Sequence, residues 1–344
     1  MACSKVLSMT AASTGEAPLQ DAVYVSSVNK IFGVSGVYLI QFNASTGARE
    51  AQVRIASPVM GTCRLVYHAA TGMLYASVWN EPNLGNFSLT HPNKDVYPIY
   101  PETLAVGARL NLVSTGKVVS DFGANRAPYW GPKWLGSSGN FLYVQWSESD
   151  NNNTYQWLRV NPANLAQVCT HAYDDAFGFC SEQGALTPRS IGTPLIYVPD
   201  PRTQGIRFGP IDYNQDFEWD ECDMPPYSPI ACDWSDFDGL VYAVDGMGNL
   251  FRINDPNTDD FTTFDLTVSF PAANPCRLRY SFNDGLIYLP CMTRNSVLIW
   301  NQTTHVAVER TGFESPIDIV EVTGATQKIW AVQNSPSESL KEIT

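Results

Sequence analysis

Carboxylates are the side chains of this 344-residue chain whose spacing most suggests chemistry. Asp212, Asp216, Glu218, Asp220, Glu221 and Asp223 crowd one stretch, followed by Asp233, Asp236 and Asp238, and then by Asp255, Asp259 and Asp260. Carboxylate and carbonyl oxygens at such short intervals are the hard ligands that calcium takes. Asp233, Asp236, Asp238, Asp255 and Asp260 are therefore candidate calcium ligands. Neither stretch reproduces a helix-loop-helix calcium motif, so a solvated acidic face is the competing reading. Asp216 with Glu218, or Asp236 with Asp238, would share one side of a strand. Such a pair runs general acid-base chemistry when burial lifts the pKa of one member.

Other chemistry has less to stand on. There is no Gly-x-Ser-x-Gly elbow, no His-Glu-x-x-His helix and no Gly-Lys-Ser/Thr phosphate loop. His68, His91, His171 and His305 are the full supply of imidazoles, and a three-histidine metal site would draw on distant segments. Cys180 follows His171 by nine residues, and sequence proximity alone does not make a nucleophile pair. Trp79, Trp130, Trp134, Trp146 and Trp157 are rigid aromatic area of the kind that anchors protein or glycan interfaces. Residues 79–95 and 146–155 are aromatic, asparagine-rich inserts. Long loops on a regular scaffold supply contacts without disturbing its core, which makes Trp79, Asn83, Trp146, Asn152 and Tyr155 the candidate binding surface.

The elements that would hold these groups announce themselves as a repeat. A polar or acidic residue, often followed by glycine, precedes an apolar-Tyr-apolar strand at Tyr75, Tyr143, Tyr242 and Tyr288, with weaker copies at Tyr24, Tyr197 and Trp330. Seven such units at spacings of 42 to 68 residues match four short strands and their turns, the size of a propeller blade. The apolar runs are too short for helix pairs. The expectation is an all-β, seven-bladed β-propeller of mostly four-stranded antiparallel blades, as a single domain over residues 1–344. The first blade would use residues 22–26, 36–42 and 51–55. The seventh, from about residue 317 onward, ends one strand short, and residues 4–10 are placed to supply that strand or the first strand of blade one. Ring closure removes free strand edges.

Residues 238–254, Asp-Gly-Leu-Val-Tyr-Ala-Val-Asp-Gly-Met-Gly-Asn-Leu-Phe-Arg-Ile-Asn, resemble a blade of the surface-layer-like, quinoprotein-like and NHL-like propeller repeats. Residues 286–300 repeat the outline. The resemblance implies the architecture alone. The tryptophan motif of quinone-enzyme blades is missing, and the Trp-Asp pair at 219–220 is not at a blade end, so no cofactor or catalytic residue is carried over.

Composition bounds the rest. With 34 acidic against 21 basic side chains the net charge is -13, which repels a phosphate backbone and argues against general nucleic-acid binding. No apolar run is long enough to cross a membrane. Cys169 with Cys180, and Cys222 with Cys232, lie a hairpin apart and are candidate crosslinks outside the cell. Four glycosylation sequons, at Asn43, Asn86, Asn152 and Asn301, and few lysines tilt the setting toward an extracellular or particle surface. The sequence-based expectation is a noncatalytic protein- or glycan-binding or assembly module, of the kind found as a secreted or virion structural component. Its alternative is a calcium-dependent small-molecule hydrolase or lactonase with an axial acidic site.

Overall fold

The computed structural model describes residues 18–36, 38–55, 63–78, 95–108, 110–111, 130–148, 154–163, 169–173, 183–187, 194–200, 203–210, 220–335 and 339–344. Its strands form seven antiparallel sheets, each meandering in chain order, and the fold is a seven-bladed β-propeller. The chain divides into two compact units, Met1–Gly178 with Asn214–Asp216, and Phe179–Tyr213 with Phe217–Thr344.

The first unit carries blades one to three. Blade one is β1 (Asp21–Val25), β2 (Lys30–Ser35), β3 (Tyr38–Asn43) and β4 (Arg49–Arg54). Blade two is β5 (Cys63–His68), β6 (Met73–Val78), β7 (Asp95–Ile99) and β8 (Leu110–Asn111). Blade three is β9 (Trp130–Ser138), β10 (Phe141–Glu148), β11 (Thr154–Val160) and β12 (Cys169–Tyr173).

The second unit carries blades four to seven. Blade four is β13 (Ala185–Leu186), β14 (Leu195–Asp200), β15 (Gly205–Pro210) and β16 (Asp220–Asp223). Blade five is β17 (Pro229–Trp234), β18 (Val241–Asp245), β19 (Asn249–Asp255) and β20 (Asp260–Asp265). Blade six is β21 (Arg279–Tyr280), β22 (Ile287–Cys291), β23 (Ser296–Asn301) and β24 (Val306–Thr311). Blade seven has three strands, β25 (Pro316–Val322), β26 (Lys328–Gln333) and β27 (Leu340–Glu342). Residues 4–10, expected to complete it or to begin blade one, lie outside the described residues.

The recurring phrase is a turn with its own wiring. In blade five Asp238 accepts the Leu240 N–H at 3.3 Å and the Tyr242 hydroxyl at 2.8 Å, while Gly239 takes φ +73°. Blade six repeats this with Asp284, which accepts from Leu286 N–H at 3.1 Å and from the Tyr288 hydroxyl at 2.6 Å. The aspartate thus closes the turn and fixes the aromatic ring on the strand that pairs with the blade's first strand. In blade two Thr71 takes the aspartate's place, 3.3 Å from the Tyr75 hydroxyl. Six of the seven aromatic markers stand on the second strand of their blades, but Tyr24 stands on β1. Its equivalent is Phe32 on β2, which follows left-handed Asn29 just as Tyr242 follows Gly239. The expected layout of blade one had skipped β2 for this reason: the turn at residues 26–29 has no aspartate or glycine to mark it.

The core lies between neighbouring sheets. Ile230, Tyr242, Leu250 and Leu266 of blade five pack with Leu278, Ile287, Leu289 and Trp300 of blade six. Tyr288, Val297 and Phe313 pack with Ile319, Ile329 and Ala331 of blade seven. Burying a large aliphatic or aromatic side chain in this way contributes about 1.5–3 kcal/mol. Cys222 and Cys232 share one such cluster as free thiols, not as a crosslink; burial, with nearby carboxylates adding to it, pushes the Cys222 thiol up to about 12. Among the described residues no helix is long and apolar enough to cross a membrane.

Candidate functional site

A blade's first strand is a sheet edge, and its outward N–H groups need partners. Three aspartates in mostly apolar first strands meet that need. Asp21 of β1 accepts its own neighbour's N–H, Ala22, at 3.0 Å and reaches the next blade's Leu65 N–H at 2.9 Å. Asp233 of β17 repeats the arrangement, accepting from Trp234 N–H at 3.0 Å and from Tyr280 N–H of blade six at 3.1 Å. Asp318 of β25 accepts from Ile319 N–H at 2.8 Å, and its remaining capacity goes to two arginines.

Those arginines build a buried charged group where blades six and seven meet. Arg277 Nη1 lies 2.5 Å and Arg279 Nε 3.2 Å from the carboxylate of Asp318, which has no exposed surface. Burial works against the Asp318 charge, but the Arg279 and Arg277 guanidiniums and the Ile319 N–H outweigh it and hold the carboxyl below its ordinary range. Asp233 goes the other way. Burial raises its pKa from 3.8 to about 6, and Arg279 and the two amides offset only part of that rise. Arg279 is the outward member, with 36 % of its side chain exposed.

The adjoining turns keep this group in place. Glu321 of β25 accepts from Ser281 Oγ at 2.9 Å, Phe282 N–H at 3.1 Å and Asn283 N–H at 2.6 Å, clamping the turn that follows Tyr280. Tyr280 donates its hydroxyl to Asp236, and burial first, then this bond and the nearby charges of Asp236, Glu321 and Asp238, push its pKa up. Phe237 and Phe282, 57 % and 60 % exposed, stand on these turns, with Phe282 set edge-on to Tyr280 at 5.2 Å. A buried carboxyl with a raised pKa in the field of a guanidinium is suited to moving a proton while an anion is stabilised nearby.

The candidates from sequence divide between places. Asp233, Asp236 and Asp238 fall on β17 and the turn after it, each with protein partners. Asp255 and Asp260 face each other in register at the far end of the β19–β20 hairpin. There Asp255 caps the 3-10 turn Pro256–Thr258 through Asn257 N–H, and Asp260 accepts from Asn254. The two sets are not brought together, and among the described residues no group of three or more His, Cys, Asp or Glu forms a metal cradle. Trp79, Asn83 and Asn152 lie outside the described residues. Trp146 and Tyr155 occupy consecutive rungs of β10 and β11, paired with Gln156 and Ser147. Arg277, Arg279 and Asp318 escaped the sequence reading. Their signal was a charge inside an apolar first strand, as in Pro-Ile-Asp-Ile-Val at 316–320.

No protein-family model matches this chain, and no curated protein does. Solved structures do. A streptogramin B lyase superposes with a TM-score of 0.65 at 12 % identity, over 96 % of this chain and 94 % of its own. A virginiamycin B lyase from Staphylococcus aureus gives 0.66 at 11 % identity, over 96 % of both chains. A catalytically inactive histidine-to-alanine form of the Staphylococcus aureus virginiamycin B lyase, solved with quinupristin, gives 0.62 at 10 % identity, over 96 % of this chain and 94 % of its own. The propeller implied by the repeat resemblance therefore holds, but these neighbours are lyases, not surface-layer, quinoprotein or NHL repeats. The expectation of a noncatalytic binding or structural module is corrected by the same finding, because the solved structures that share this fold over almost its whole length are lyases. The lack of a familiar nucleophile motif gave no ground for that expectation.

Proposed function

We propose that this propeller is an enzyme that cleaves a small molecule by elimination, with its active centre on the first strands of blades five to seven. The observation that carries the proposal is the buried carboxyl of Asp233, with its pKa raised to about 6, in the field of the Arg279 guanidinium, which is 36 % exposed. A lyase breaks a bond by taking a proton from one atom and expelling a group from its neighbour, with no water added. Asp233 is the proton acceptor in this reading, and Arg279 stabilises the anion that the loss of the proton creates. Asp318 and Arg277 hold Arg279 in position, and Phe237 and Phe282 offer apolar area at the rim.

One of the similar lyases loses its activity with a histidine. In blades four to seven of this chain the only histidine is His305, at the β23–β24 turn, stacked on Trp300 at 6.0 Å between ring centres. It is not on a first strand, so the proton-transferring group proposed here is a carboxylate.

The test is incubation with quinupristin in 18O-labelled water, followed by mass spectrometry. Elimination leaves the summed product mass equal to that of the substrate and free of 18O, and Asp233→Asn and Arg279→Ala each lower the rate by about 10²-fold or more. Incorporation of one 18O per turnover would identify a hydrolase instead. Turnover unchanged in both variants would remove these residues from the chemistry.

A further inference from the structure

Gln183 stands two residues before Ala185, the rung partner of Tyr197. The same position in blades five, six and seven holds Ala231, Arg277 and Asp318, each two residues before the partner of its marker. Arg277 and Asp318 satisfy one another, and Ala231 brings only a methyl group. The Gln183 side chain is 1 % exposed, and neither its Oε1 nor its Nε2 has a hydrogen-bond partner. Its main chain is fixed beside the candidate centre: it bridges Ala231, and its carbonyl accepts the N–H of Cys232, the residue before Asp233, at 3.0 Å.

A buried carboxamide with both ends unpaired costs about 1–3 kcal/mol for each lost partner, so such groups are rare in native folds unless something else supplies the bonds. A carboxamide sets an acceptor beside a donor, which is the complement of a secondary amide. We propose that Gln183 is a specificity-determining residue that pairs with a secondary amide of the substrate, so that the substrate class is an amide-bearing small molecule. This rests on the reading of the first strands in this unit as an active centre, but its test needs no turnover.

The probe pair is N-methylacetamide and methyl acetate, which have the same shape but differ in the N–H. The side-chain NH2 signal of Gln183, assigned by its loss in Gln183→Leu, is followed in the 15N-labelled protein. The amide is expected to shift it saturably, and the ester at least about tenfold more weakly, as in sites built to pair a particular donor. Asp233→Asn should keep the shift while losing turnover, so failure of the catalytic reading and failure of this one are separate results. No shift, or equal shifts with amide and ester, overturns the proposal. So does a Gln183→Leu protein as stable as the wild type whose other signals respond to the amide as before, because the carboxamide is then merely buried.

Discussion

Between the ordinary aspartate pKa of 3.8 and the value of about 6 that Asp233 has in the fold, the folded protein binds more protons at this site than the unfolded chain. Stability must then fall as pH rises through that window. The rise in pKa corresponds to about 3 kcal/mol of differential interaction. Urea unfolding of wild type and Asp233→Asn across pH 4 to 7 should show the wild type losing up to about that amount relative to the variant. A constant difference over the range would mean that burial of this carboxyl is less costly than its surroundings imply. Asp318 has the opposite sign, since its lowered pKa contributes stability present above the unfolded value and lost as pH falls through the folded one. Asp318→Ala leaves Arg277 and Arg279 facing one another without their shared counter-charge, and should destabilise by about 3–5 kcal/mol in denaturant melts. These roles were partly legible in the sequence. Asp233 stood out by its spacing to Asp236 and Asp238, which suggested a metal ligand. Its bond to an amide 47 residues further on, in another blade, is beyond what spacing reports. Arg277 and Arg279 were invisible for the same reason: the charge that explains them is on β25.

The hairpins were the most legible element because their wiring is local. Asp238, Gly239 and Tyr242 lie within five positions and complete each other's hydrogen bonds and backbone angles without help from other blades. Blade one shows the limit, since Asn29 can hold the left-handed angle that glycine usually takes and the phrase then loses its marker. Two glycines separate the cost of backbone angle from the cost of space. At Gly239, φ is +73° and an added Cβ meets nothing within 4 Å, so Gly239→Ala should cost about 1–2 kcal/mol from conformation alone. At Gly248, φ is +97° and the Cβ would lie 2.4 Å from the Ala273 carbonyl oxygen and 2.6 Å from Thr267 Cγ2. Gly248→Ala must move backbone as well, and should lower the melting temperature clearly more than Gly239→Ala does. Equal losses would mean that the turn at residues 271–273 gives way freely.

Across the whole molecule the architecture was readable from seven repeats of one phrase, while the activity proposed above was not. What a blade must retain is a turn with a left-handed residue, an aromatic ring and alternating apolar positions, and these leave most positions free to change. A strand edge fastened by a side-chain carboxylate has a further consequence, which shows in time instead of in energy. The amide hydrogens of Leu65 and Tyr280 point away from their own sheets toward Asp21 and Asp233, where an uncapped edge would trade them with solvent quickly. In deuterium oxide both should be slow clocks, set independently by two different blades. Asp233→Ala should speed the Tyr280 clock by about tenfold or more and leave Leu65 unchanged, and Asp21→Ala should do the reverse. Acceleration of both clocks by either substitution would mean that the fold as a whole, and not one seam between two blades, governs their rate.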